Sequence, residues 1–211
     1  NTSALAFGGS TPGANKTETE SFNGSAWTEL SDLNSAPSDV GFGTQTAAIA
    51  SGGTTEEWNG SAWTEVADLN TNRSSSGTSG IYTSGLVFGG DPEPSGTAKT
   101  EEWNGSAWTE LNDLNVGRYG IGGAAQGSTS SSLAFGGGSP PAPSKSAATE
   151  EWNTGISVGA WSTSTSMNTG RSQMGSNGTS TSALGYGGTT TAGVAITESW
   201  NGSAWTEVAD L

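Results

Sequence analysis

The chain has 211 residues, of which six are basic and 20 acidic, giving a formal charge of −14. That charge repels phosphate backbones and argues against nucleic acid as a partner. Histidine and cysteine are both absent. Their absence excludes disulfides, Ser-His-Asp and Cys-His nucleophiles and the commonest zinc and copper ligand, so an enzyme here would rely on carboxylates alone.

No apolar run approaches the ~18 residues needed to cross a bilayer, so membrane insertion is not expected. The 34 glycines and nine tryptophans, with abundant serine and threonine, favour short strands joined by tight turns. In chain order the first apolar segment is "LAFGG" (5–9), followed by the loop "STPGANKT" (10–17), Glu20, Phe22 and Trp27. The second is "AIASGG" (48–53), with a minimal "TT" (54–55), Glu56, Trp58 and Trp63. The third is "LVFGG" (86–90), with "DPEPSGTAKT" (91–100), Glu101, Trp103 and Trp108. The fourth is "LAFGG" (133–137), with "GSPPAPSKSAAT" (138–149), Glu150, Trp152, a longer "NTGISVGA" (153–160) and Trp161. The fifth is "LGYGG" (184–188), with Glu198, Trp200 and Trp205. After the second aromatic comes "DLN" or a relative, then Arg73, Arg118 or Arg171, with Pro37 at the first such position.

Successive second aromatics lie roughly 36 to 53 residues apart, a spacing that suits four-strand propeller blades. Each unit reads as strands a to d: a Gly/Ser/Thr-rich strand a, strand b ending at Gly-Gly, strand c with Glu-x-aromatic, and strand d with the second aromatic. The prediction is an all-β, single-domain, five-bladed β-propeller over residues 1–211. Its four-stranded antiparallel blades occupy approximately 1–33, 38–69, 74–114, 118–167 and 171–211. The first blade lacks strand a, because the chain enters that repeat at strand b and leaves the fifth just after strand d. The sequence therefore reads as an excerpt of a longer polypeptide, with an edge able to accept a strand from a neighbour.

Gly-Gly after strand b, Glu two residues before the strand-c aromatic, Trp on strand d and Arg before the next strand a together resemble Kelch-type β-propeller repeats. The resemblance covers essentially the whole chain, with Trp in place of the usual Tyr on strand c in four units. The wording "EEWNGSAWTEVADLN" is also similar to repeat proteins of marine phages that serve as virion structural components. These resemblances imply a structural or adhesive role on a virion or other extracellular surface, with a glycan, a host receptor or other virion subunits as partners.

Asn-Gly is a strong hairpin signal and predicts a type I′ turn at Asn59-Gly60, which sets Glu56 opposite Trp63. Glu56, Trp58 and Trp63 then share one face, and the paired aromatics supply blade-to-blade packing. The five glutamates need partners, which backbone N–H groups, indoles or the repeat arginines can supply, while a ring of carboxylates binding a cation is the alternative. Five equivalent copies argue for architecture, since a catalytic pair needs two distinct environments. Asp32, Asp68, Asp113 and Asp210 are expected to make local turn bonds. Sequons start at Asn1, Asn15, Asn23, Asn59, Asn72, Asn104, Asn177 and Asn201, four of them simply the Asn-Gly-Ser turn. No cofactor or metal is indicated, and no Asp-x-Asp-x-Asp-Gly calcium loop occurs.

Loop variation is concentrated between strands b and c, on the rim that also carries the d–a connections. The candidate binding residues there are Pro12, Asn15, Lys16, Arg73, Asp91, Glu93, Lys99, Arg118, Lys145 and Arg171. An alternative role for the three arginines is pairing with the repeat glutamates. The functional expectation is a non-catalytic adhesion module, with a purely structural spacer as the alternative. Galactose-oxidase-like chemistry, which needs histidine, tyrosine and cysteine around copper, lacks two of its three residue types.

Overall fold

Each of the five apolar segments that lead into Gly-Gly forms strand b of an antiparallel sheet in the computed structural model, which describes residues 3–11, 13–36, 40–91, 96–139, 144–155 and 159–211. Pro12, Pro37, Glu93 and the Asn1 sequon lie outside the described residues, as do 156–158 of the longer c–d connection. Blade 1 consists of Ala4–Phe7, Thr19–Phe22 and Trp27–Glu29. Blade 2 consists of Val40–Thr44, Ala47–Ser51, Thr55–Trp58 and Trp63–Val66. Blade 3 consists of Gly77–Ile81, Ser84–Phe88, Thr100–Trp103 and Trp108–Glu110. Blade 4 has Gly122–Gly123, Ser131–Phe135, Thr149–Asn153 and Ala160–Ser164. Blade 5 has Gly175–Thr179, Ser182–Tyr186, Thr197–Trp200 and Trp205–Val208. The five sheets form a five-bladed β-propeller whose first blade has three strands. Two b–c loops add small hairpins of their own, Ser10–Thr11 with Ala14–Asn15 and Gly138–Ser139 with Ser144–Lys145.

The c–d hairpin corrects the predicted turn. Trp58 pairs with Trp63, Glu57 with Thr64 and Glu56 with Glu65, so the loop is four residues, Asn59 to Ala62. Only Gly60 takes a positive φ, +95°, whereas a type I′ turn requires two such residues. Asn59 Oδ1 instead accepts bonds from Ser61 N (3.0 Å), Ser61 Oγ (2.9 Å) and Ala62 N (3.0 Å). The side chain mimics a backbone turn and closes the longer loop. Asn23, Asn104 and Asn201 repeat these contacts. The register shift is two residues, so the expected face is kept: Glu56, Trp58 and Trp63 still project to one side.

That face packs each blade on its predecessor. Strand-c tryptophans are sealed (Trp58 0%, Trp103 1%, Trp152 1% and Trp200 1% exposed). Their indoles donate to a–b turn carbonyls of the same blade, at Gln45, Tyr82, Thr129 and Ser180. Strand-d indoles cross the seam. Trp63, Trp161 and Trp205 donate to Thr19, Thr100 and Thr149 hydroxyls at 2.9–3.0 Å, and Trp108 donates to the Ala67 carbonyl at 3.0 Å. Each also meets an aromatic ring of the preceding blade: Phe7–Trp63, Phe42–Trp108, Phe88–Trp161 and Phe135–Trp205. The expected small residues make these approaches possible. A Cβ on Gly85 would lie 2.3 Å from the Phe42 ring, and one on Gly41 would lie 2.4 Å from Phe7.

Candidate functional site

The chain between strand d and the next strand a runs along the rim and reaches into the adjoining blade. Its asparagine bonds the glutamate of that blade twice. Asn70 donates both its backbone N–H and its Nδ2 to Glu101 Oε2, each at 2.8 Å. Asn115 does the same to Glu150 (2.7 and 2.7 Å) and Asn168 to Glu198 (2.7 and 2.8 Å). In blade 2, Asn34 N and Nδ2 donate to Glu56 Oε2, while Ser35 N and Oγ donate to Oε1. The same asparagines also donate Nδ2 to the strand-d tryptophan carbonyl, Trp63, Trp108, Trp161 or Trp205. Sequence reasoning did not assign this role to asparagine, although the repeated "DLN" string was the available signal.

The arginines complete the same cluster. Arg73 pairs with Glu101, Arg118 Nη2 with Glu150 Oε1 at 2.7 Å and Arg171 Nη2 with Glu198 Oε1 at 3.0 Å. Further Nη donors go to backbone carbonyls, such as Arg118 Nη1 to Gly136 and Ala148. In all three the Nε is buried with no partner among the described residues. Arg73, Arg118 and Arg171 are 3%, 0% and 0% exposed, so these three rim candidates lie beneath the surface. A ring of free carboxylates is likewise replaced by four saturated, buried ones, with Glu20 of blade 1 alone exposed.

Burial by itself pushes the carboxyls of Glu56 and Glu101 upward. It is outweighed at Glu56 by the N–H bonds from Asn34 and Ser35 together with the Ser35 hydroxyl, and at Glu101 by Arg73 and Asn70, so both sit below the ordinary 4.5. Burial pulls Arg118 below its ordinary value, and Glu150 only partly opposes it. A depressed carboxyl stabilises the fold above the unfolded value and ceases to do so as pH falls through the folded one. The midpoint of chemical denaturation will therefore hold from pH 7 to about 5 and decline below the ordinary 4.5. Glu101→Gln will flatten part of that decline. An acid profile identical in wild type and variant would contradict this origin.

Two of the aspartates make bonds of longer range than expected. Asp68 Oδ1 accepts from Thr55 N (2.6 Å) and Asp210 Oδ1 from Thr197 N (3.1 Å), in each case anchoring strand d to the start of strand c. Above the arginines, the d–a segments form a backbone belt. Gly120 N donates to Ser75 O, and Gln173 N donates to Gly120 O, both at 2.8 Å. These three residues occupy equivalent positions, two after each arginine, with φ of +53°, +56° and +53°. The left-handed conformation, uncommon for Ser and Gln, is what aims consecutive links of the belt at one another.

What remains accessible on the rim is modest. Asn15 is exposed on its small hairpin. Lys16 pairs with Glu18 at 3.2 Å, and Lys99 with Glu110 at 2.8 Å. Asp91 Oδ2 accepts from Ser74 Oγ at 2.8 Å, which ties this loop to the belt. Lys145 is half-buried in the second hairpin, opposite Gly138. Pro12 and Glu93 lie outside the described residues. Among the described residues no group of three or more Asp and Glu side chains is placed to hold a metal ion.

Neither a protein-family model nor a curated protein matches this chain.

Proposed function

We propose that the chain is a non-catalytic, Kelch-type β-propeller acting as an adhesion module. Its b–c loop rim contacts a glycan or a protein on behalf of a virion or another extracellular surface. The observation that carries this reading is the division of labour between repeat and loop. The repeated polar residues Asn, Glu and Arg are consumed inside the blade seams, whereas the b–c loops differ in length and sequence. Two of these loops fold into hairpins of their own, carrying Asn15 and Lys145. Binding residues concentrate in such loops because a rigid scaffold can vary them at little cost.

A second reading, a structural spacer within an assembly, draws support from the same saturation of the polar seams, which leaves few unsatisfied groups to recognise a ligand. A glycan array with the intact chain, repeated after shortening 10–17 and 138–148 toward the two-residue connection of blade 2, separates them. The adhesion reading expects binding that the shortened variant loses. If the intact chain captures no glycan, and host attachment survives loop shortening, the spacer reading stands instead.

A further inference from the structure

Four times along the chain, the segment after strand d is used in one way. Its asparagine fills the glutamate of the next blade, joined by Arg73, Arg118 or Arg171 in three cases, and its far end becomes that blade's strand a. Blade 1 has only the receiving half of this arrangement. Glu20 is exposed, and among the described residues Ala4–Phe7 pairs only with Thr19–Phe22, which leaves its other edge open. A cavity of about 740 Å³ runs along that edge, walled by Leu5, Phe7, Val40, Phe42, Gln126 and Asn177. The seam beside it is also incomplete. Thr19, Thr100 and Thr149 each accept an indole N–H from the following blade, but Thr197 Oγ1 is buried without a partner among the described residues. Trp27, whose position matches those indoles, is 50% exposed.

We propose that the open edge of blade 1 is a strand-acceptor site. Its occupant is a free extended segment of this chain's own repeat type, Asn-x-x-Arg-x-x-x-Gly. The carboxylate of Glu20 selects the Asn and Arg, as Glu101, Glu150 and Glu198 do. Phe7 selects the glycine. Opposite Phe88, Phe135 and Tyr186 stand Gly77, Gly122 and Gly175, where an added Cβ would come within 2.3, 2.6 and 2.1 Å of the ring. Where strand b carries Ser51 instead of an aromatic, the opposing residue is Val40. Blade 1 has the aromatic, so its incoming strand must carry glycine at that position. A second folded copy is a poor donor, because its three such segments are already paired within their own blades. The site draws on no contact from the b–c loops, so loss of glycan binding on shortening those loops would leave it untouched, and the reverse also holds.

The probe is a fluorescein-labelled peptide copying residues 70–82, titrated with the intact chain and followed by anisotropy and by amide hydrogen exchange. We expect saturable binding and slowed exchange confined to residues 3–8 and the adjoining channel wall. Losing one charge-assisted contact will weaken binding about tenfold, as read with Arg73→Ala in the peptide or Glu20→Gln in the protein. Gly77→Val in the peptide will abolish it. Absence of saturable binding overturns the proposal, as does binding indifferent to both Gly77→Val and Glu20→Gln. A concentration-dependent dimer that the peptide fails to dissociate also overturns it and assigns the edge to a second copy.

Discussion

Trp152→Ala will lower the free energy of unfolding by ~3–5 kcal/mol in chemical denaturation, the cost of emptying a large aromatic site that cannot collapse. The side chain is 1% exposed and donates Nε1 to the Thr129 carbonyl at 2.8 Å. Its ring lies 5.5 Å from that of Trp161, which in turn meets Phe88 of blade 3 at 4.8 Å. Truncation therefore removes apolar contact, leaves the half-buried Thr129 carbonyl without its indole donor and loosens the partner ring on which the inter-blade seam depends. Trp27→Ala is the internal control. It removes the same residue type from the same repeat, but from a ring already half in water, so its cost will be a minor fraction of the first. Equal losses at the two sites would mean that repeat identity, not burial, sets the energetics.

The second large effect lies in the polar seam. Glu150→Ala will cost ~3–5 kcal/mol, because it leaves Arg118 charged, buried and without its carboxylate. Arg118 is 0% exposed, and Glu150 also accepts the Asn115 N–H and Nδ2 bonds. The double replacement Arg118→Met with Glu150→Leu will cost less than the sum of its parts, since the largest penalty belongs to the orphaned charge and not to the pair itself. Glu20→Ala, at the equivalent but exposed position of blade 1, will leave the denaturation midpoint unchanged. A double variant no better than the additive sum would show that Arg118 and Glu150 act independently.

Much of this architecture was legible because the chain writes its unit five times. Repetition fixed the strand order, the blade count and the three-stranded first blade. The face shared by Glu56, Trp58 and Trp63 was also correctly read, although the register behind it was two residues out. That error has a physical source. Asn-Gly favours a two-residue turn in isolation, but the neighbouring serine and alanine offer N–H and hydroxyl donors that the Asn59 side chain can gather. A local motif then closes a longer loop than the dipeptide predicts. The asparagine of "DLN" was missed for a different reason. Its partners, Glu101 for Asn70 and Glu150 for Asn115, lie in the next blade, 31 and 35 residues along the chain.

The sequence by itself determined the fold class, the blade count and the pairing of aromatics, because periodic hydrophobicity and turn residues act over a few positions and are written in order. It could place Arg73, Arg118 and Arg171 near the rim, but not say whether they point outward or inward. Only the tertiary structure decided that question. A guanidinium enters the interior when a carboxylate and backbone carbonyls converge on it from the adjoining blade, and such convergence is a property of the packed ring. The same holds for Glu20 and Trp27. Their local sequence matches that of their buried counterparts, and what separates them is which seam they face and whether a strand and a neighbouring blade cover it.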